Sequence, residues 1–271
     1  GSHGARAWWV VRSSTITIPN FTMQELDDNA SANGHSFGSR VDINGSNLVV
    51  AKASGLRKVY HYNVSETNGS ITANGLISPD SEANQAANEF GFSLAIDGNL
   101  LAVGAKDAYE SGVPQVGAVY LFELNSSNST QVARITASDG SSSDHFGYDV
   151  EVSGNLIVAG ARDDDPAGKS YAGSAYVFRR ESNGSITELA KLLHGDPQSS
   201  DYFGWQVAIS GNMVAVGAER DDVIFSGSNK PDAGSVTLFK LDGNGTATRT
   251  MTLTAPNPYN SCYFGSAVAM S

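Results

Sequence analysis

The chain has 271 residues, 40% of them apolar, and 28 acidic against 17 basic side chains for a formal net charge of −11. That charge argues against nucleic acid and anionic membrane surfaces and favours cations or basic partners, while no apolar run approaches the roughly 20 residues of a membrane-spanning helix. The single cysteine, Cys262, excludes an internal disulfide framework and a cysteine-based zinc site.

Gly1-Ser2-His3 reads as the remnant of a cleaved tag. The stretch Ala7-Trp8-Trp9-Val10-Val11 and the stretch from Phe21 to Leu26 then match the third and fourth strands of a unit that recurs downstream. Each unit opens with Phe-Gly, at Phe37-Gly38, Phe90-Gly91, Phe146-Gly147, Phe203-Gly204 and Phe264-Gly265, at intervals of 53, 56, 57 and 61 residues. An alternating strand follows, such as Val150-Glu151-Val152. It turns at Asn44-Gly45, Asp97-Gly98, Ser153-Gly154 or Ser210-Gly211, where glycine supplies the positive φ of a tight hairpin.

The second strand is a continuous apolar run, as in Leu156-Ile157-Val158-Ala159, and so is covered on both faces. The third is aromatic and β-branched, as in Val119-Tyr120-Leu121-Phe122, and a polar turn leads to a fourth. No helical period lasts three turns, so the chain is all-β. Four antiparallel strands in a repeated unit of about 55 residues define a β-propeller; a β-solenoid, with shorter coils and no hairpin, fits worse. The whole chain is one domain with blades beginning near residues 37, 90, 146, 203 and 264, and residues 4–36 complete a blade. Five blades result if both ends share one; otherwise the chain is part of a larger ring.

The Phe-Gly openings and the Gly-Ala closings at Gly104-Ala105, Gly160-Ala161 and Gly217-Ala218, together with Gly117-Ala118, Gly173-Ser174 and Gly234-Ser235, resemble FG-GAP repeats. Those are the blades of the integrin alpha-subunit propeller and of many bacterial and algal surface proteins. The resemblance implies seven blades, an adhesive role, and Ca²⁺ held by a D-x-D-G-x-x-D loop between the first two strands. Here that loop has shrunk to Ser153-Gly154-Asn155 and its equivalents, with Asp42-Ile43-Asn44-Gly45 the nearest vestige.

Alternate loops of an up-and-down blade fall on alternate faces. The loops between second and third strands and the connections between blades share one face, which receives 17 of the 28 acidic residues. Candidate ligand-binding residues there are Asp107, Asp163, Asp164, Asp165, Glu219, Asp221 and Asp222. Of these, Asp163, Asp164, Asp165, Asp221 and Asp222 could gather the six to eight oxygens that Ca²⁺ takes, or stand simply solvated. Nine Asn-x-Ser/Thr sequons, several recurring on the opposite face, fit a secreted or surface glycoprotein. His35, His61, His145 and His194 share no metal-ligand or triad spacing and read as structural, and no G-x-S-x-G elbow or phosphate loop occurs. The leading expectation is a non-enzymatic binding or adhesion module for a protein or glycan. A polysaccharide-acting propeller enzyme and a structural surface or matrix component are the alternatives.

Overall fold

The computed structural model describes residues 37–52, 57–79, 88–126 and 128–271. Four antiparallel four-stranded sheets follow one another along the chain. The first holds β1 (Phe37–Asn44), β2 (Asn47–Lys52), β3 (Lys58–Val64) and β4 (Ile71–Ile77), and the second β5 (Phe90–Asp97), β6 (Leu100–Ala105), β7 (Ala118–Leu124) and β8 (Ser129–Ile135). The third holds β9 (Val150–Ser153), β10 (Leu156–Ala161), β11 (Ser174–Arg180) and β12 (Ile186–Leu192). The fourth is β13 (Phe203–Ser210) and β14 (Met213–Ala218), then β17 (Ser235–Leu241) and β18 (Ala247–Thr254). A hairpin of β15 (Val223–Phe225) and β16 (Ser228–Lys230) interrupts its long loop.

The first strands β1, β5, β9 and β13 lie side by side, so they are innermost and the fourth strands form the rim. This is the blade arrangement of a propeller. The apolar second strands explain its core. Leu101, Val103 and Ala105 of β6 pack toward the first sheet, whereas Leu100 and Ala102 pack toward the third. Alternate side chains of one strand therefore serve two interfaces. Each fully buried leucine contributes about 1.5–3 kcal/mol.

The recurring glycines hold the seams between sheets. Phe146 donates its N–H to the Val116 carbonyl at 2.9 Å, and Phe203 and Phe264 do the same to Ala172 and Ala233 at 2.9 Å. The rings of Phe146 and Phe203 pack on third-strand aromatics of their own blades, Tyr176 at 5.5 Å and Phe239 at 6.2 Å. A Cβ on Gly160 would lie 2.0 Å from the Gly204 carbonyl oxygen, and one on Gly217 would lie 2.2 Å from that of Gly265. The closing Gly of one blade and the opening Phe-Gly of the next thus leave no space for a side chain.

Phe264 to Ser271 was expected as a first strand; Phe264, Val268 and Met270 do pack on Ala208, Ala215 and Val236, but the segment is turn and bend. Among the described residues no second strand is there to pair with it. The proposed blade-completing stretch at residues 4–36, including Trp8 and Trp9, lies outside the described residues. Among those described, no helix is long and apolar enough to cross a membrane.

Candidate functional site: the acidic loop face

The two ends of the sheets differ sharply. At one end the first hairpins are two-residue turns tied from blade to blade. Asn44 donates its side-chain amide to Asp97 at 3.3 Å, Asp97 accepts the Gly154 N–H at 2.7 Å, and the Gly211 N–H reaches Ser153 Oγ at 3.2 Å. The turns bearing Asn68, Asn125, Asn183 and Asn244 lie beside them, since Leu124, Arg180 and Leu241 donate N–H groups to Asn99, Asn155 and Asn212.

The other end carries the long loops 106–117, 162–173 and 219–234 and the connections 136–145, 193–202 and 255–263. Near the axis Phe92, Tyr148 and Trp205, each the residue after a Phe-Gly pair, pack in sequence at tilted angles with centroids 4.9 and 5.3 Å apart. Arg162 lies over Tyr148 at 4.2 Å and Trp205 at 4.6 Å, a cation–π arrangement. Trp205 is therefore packed between blades.

The acidic residues divide by their partners. His145 bridges two blades, with Nδ1 2.6 Å from Asp163 and Nε2 3.3 Å from Asp107. Burial lowers its pKa, but the hydrogen bonds to Asp107 and Asp163 outweigh this and raise it to about 9. Burial likewise acts to raise Asp107, and its bonds to His145 and Lys106 hold it below the ordinary value. Asp163 also accepts from Arg162 at 3.1 Å.

Asp164 is buried and accepts from Ser174 Oγ at 2.6 Å, with Lys191 Nζ at 2.6 Å. Lys191 reaches Asp139 as well, at 2.7 Å, and Tyr176 donates its hydroxyl to Asp139 at 2.7 Å. Burial disfavours the charged form of Lys191, yet its bonds to Asp139, Asp164 and Tyr176 push its pKa up. Asp144, at the same cluster, is raised to about 6 by burial and by the negative charges of Asp164 and Asp139. Asp165 points elsewhere, accepting the Tyr171 N–H at 2.7 Å. Asp163, Asp164 and Asp165 are thus consecutive in sequence but face three different sets of partners.

The fourth sheet repeats this pocket with other residues. Counting from Phe203 and Ser235 as from Phe146 and Ser174, Asp201 stands for Asp144, Asp196 for Asp139, Asp221 for Asp164 and His194 for Ala137. Thr237 and Thr252 replace Tyr176 and Lys191, and their hydroxyls lie 3.2 Å apart. The Asp201 side chain is 2% exposed and accepts one hydrogen bond, from the Gln198 N–H at 2.6 Å. Burial raises it to about 7, helped by Asp221, Asp222 and Asp196. Asp221 is raised too, first by burial, against the opposing effects of His194 and Ser235. Asp222 is exposed and accepts from the Asp232 N–H at 3.0 Å and from Asn229 at 3.1 Å. Glu219 is buried, which raises its pKa, and Arg220 lies 3.8 Å away.

Close glycine–glycine seams recur after the second, third and fourth sheets, at Gly104 and Gly147, Gly160 and Gly204, and Gly217 and Gly265. A family model described as FG-GAP repeat matches residues 76–122, 129–178 and 186–239. The chain belongs to the FG-GAP repeat family. Integrin alpha-6 of Gallus gallus is 28% identical over 159 residues, which is 52% of this chain and 14% of that protein's length. The chain thus spans about one seventh of that curated relative. Among solved structures, a protein from Lactobacillus plantarum aligns over 76% of this chain and 50% of its own, at 14% identity and a TM-score of 0.46. Saccharomyces cerevisiae Sqt1 aligns over 62% and 36%, at 11% identity and a TM-score of 0.39.

The integrin-type calcium loop does not fit these FG-GAP blades. Their first hairpins have no room for it, and Asp42, the vestige, spends its carboxylate on the N–H groups of Ile43 at 2.8 Å and Ile96 at 2.7 Å. Among the described residues, the one group of three or more His, Cys, Asp or Glu side chains whose donor atoms lie within 4.8 Å of one another is His194, Asp201 and Asp221. Asp221 was among the expected residues. His194 was read as structural, seven residues before Asp201 and on a connection rather than a strand, and only the closing of that connection against the next loop unites them.

Proposed function

We propose that this FG-GAP propeller is an extracellular, non-enzymatic binding module that engages a protein partner through its loop face. The observation that carries this reading is that every exposed aromatic side chain among the described residues lies on that face, whereas Leu76, Met251 and Leu253 are exposed on the rim strands. Tyr109, Tyr171, Ile224, Phe225, Tyr259 and Tyr263 are all exposed on that face, Ile224 at 70% and Tyr259 at 66%. The hairpin-face turns among the described residues carry none. Exposed tyrosines beside acidic loops provide the aromatic anchors and polar rim of a recognition surface, and the net charge of −11 favours a basic partner. Integrin alpha-6 as a relative supports an adhesive role. The sequons among the described residues lie toward the hairpin face, which in this reading keeps their glycans off the loop face.

Screening arrays of extracellular proteins and of glycans tests it. Binding to a basic protein is expected to fall at least tenfold in a Tyr109→Ser/Tyr171→Ser/Ile224→Ser variant and to survive changes at Asn155 and Asn183. Loss through the hairpin-face changes alone would overturn the assignment of the face, and binding to glycans alone would replace the protein partner by a carbohydrate.

A further inference from the structure

Equivalent pockets in the third and fourth sheets solve one electrostatic problem differently. In the third, three carboxylates (Asp139, Asp144 and Asp164) surround the Lys191 ammonium, which touches two of them at 2.7 and 2.6 Å. In the fourth, Asp196, Asp201 and Asp221 keep their places, but Thr252 stands where the ammonium would come from. The smaller Thr237 replaces Tyr176, and a cleft of about 410 Å³ opens there, lined by His194, Asp196, Asp221, Asp222 and Thr252 among others. Arg249 also lines this cleft, lying against Gly195, and is exposed.

Two further observations point to a cation as the occupant. Asp201 is 98% buried in its side chain yet receives a single hydrogen bond, on Oδ2, the oxygen that lies 3.9 Å from His194 Nδ1. His194, 8% exposed in its side chain, has Nδ1 3.2 Å from the Asp196 carbonyl. Donating there leaves Nε2 with its lone pair, 3.5 Å from Asp221 and 3.5 Å from Ser235 Oγ. A backbone carbonyl that orients one ring nitrogen and turns the other toward the donor cluster is the usual support of a ligating histidine, and here the Ser235 hydroxyl is the one hydrogen-bond partner of Nε2 among the described residues. The 3.5 Å spacing is close to the roughly 3.4 Å between two donors each about 2.1 Å from a tetrahedral ion.

We propose that His194, Asp201 and Asp221 hold a divalent cation of the class that accepts imidazole, with water completing its coordination, in the place that Lys191 fills one blade earlier. An imidazole and two carboxylates suit Zn²⁺ and its neighbours better than Ca²⁺, which takes six to eight oxygens. The site is separate from the exposed aromatic surface and does not depend on the partner-binding reading.

The test uses the whole chain, stripped with a chelator and titrated calorimetrically with Zn²⁺ and, separately, with Ca²⁺. One Zn²⁺ per chain is expected, together with a rise in melting temperature and at least tenfold weaker Ca²⁺ binding. His194→Ala and Asp201→Asn are each expected to weaken Zn²⁺ at least tenfold. Thr252→Lys restores the third-sheet arrangement and is expected to abolish Zn²⁺ binding while the metal-free protein melts no lower than the parent. That variant keeps the test decisive if either ligand change prevents folding. Absence of Zn²⁺ binding at millimolar concentration, Zn²⁺ binding that survives Thr252→Lys and His194→Ala, or Ca²⁺ binding as tight as Zn²⁺ would each overturn the proposal.

Discussion

The third and fourth sheets share strand order, seam glycines and the positions of three carboxylates, yet one pocket holds an ammonium between its carboxylates and in its place the other has only the exposed Arg249 lining its cleft. In the third, Lys191 and Tyr176 fill the space and neutralise Asp139 and Asp164. In the fourth, Thr252 lines a cleft together with Asp221 and His194, whose donor atoms lie within 4.8 Å of those of the buried Asp201. The difference teaches that a repeat can conserve the backbone frame of a site while changing how its charge is balanced. Burial of like-charged carboxylates is costly in either pocket, because desolvation and mutual repulsion both oppose ionisation.

The largest effect should come where the two sheets are alike. Gly160→Ala and Gly217→Ala each place a methyl about on top of a neighbouring carbonyl oxygen, 2.0 and 2.2 Å from the added Cβ. Each is expected to cost more than about 3 kcal/mol in urea unfolding, because backbone rather than a flexible side chain must move. Gly154→Ala is the contrasting control. Its φ is +59° but nothing lies within 4 Å, so the cost should be only about 1–2 kcal/mol of backbone strain. If all three variants unfold alike, close approach is not what the seam glycines provide.

Next in size is Lys191→Thr, which turns the third pocket into the fourth. Removing one partner from a largely buried ion cluster should cost about 2–4 kcal/mol, measured by urea unfolding without metal. Unchanged stability would mean that the carboxylates there are already protonated or hydrated and that the comparison overstates the role of Lys191.

A smaller, pH-dependent difference concerns the residue before Phe-Gly, His145 in one connection and Tyr202 in the next. The folded pKa of His145 is raised to about 9, above the ordinary value near 6.5. Its contribution is therefore fully present below about pH 6.5 and is lost as pH rises through about 9. Comparing unfolding midpoints of the parent and His145→Gln across that window should show a difference of about 1–2 kcal/mol near neutrality that shrinks toward pH 10. A constant difference would show that the ring acts by packing and not by charge.

Much of the fold was legible because its determinants recur. Phe-Gly, the hairpin glycines and the two-sided apolar strands answer local steric and packing demands that every blade repeats. The loops were legible only as acidic. Val223 to Lys230 was read as part of one such loop, although Ser226-Gly227 between two short runs is a turn signal, and it forms the β15–β16 hairpin. Which carboxylates converge was not readable, because Asp163, Asp164 and Asp165 are adjacent in sequence yet turn to different partners. His194, Asp201 and Asp221 span 28 positions and meet.

Residue order alone therefore determined the all-β blade, its repeat and the two-faced disposition of charge, since these follow from short-range periodicity and turn chemistry. The pairing of Lys191 with two blades' carboxylates, and the opening left when threonine takes its place, depended on the approach of a connection to the following blade's loop. Electrostatic and donor–acceptor interactions act over a few ångströms in space and carry no fixed spacing along the chain.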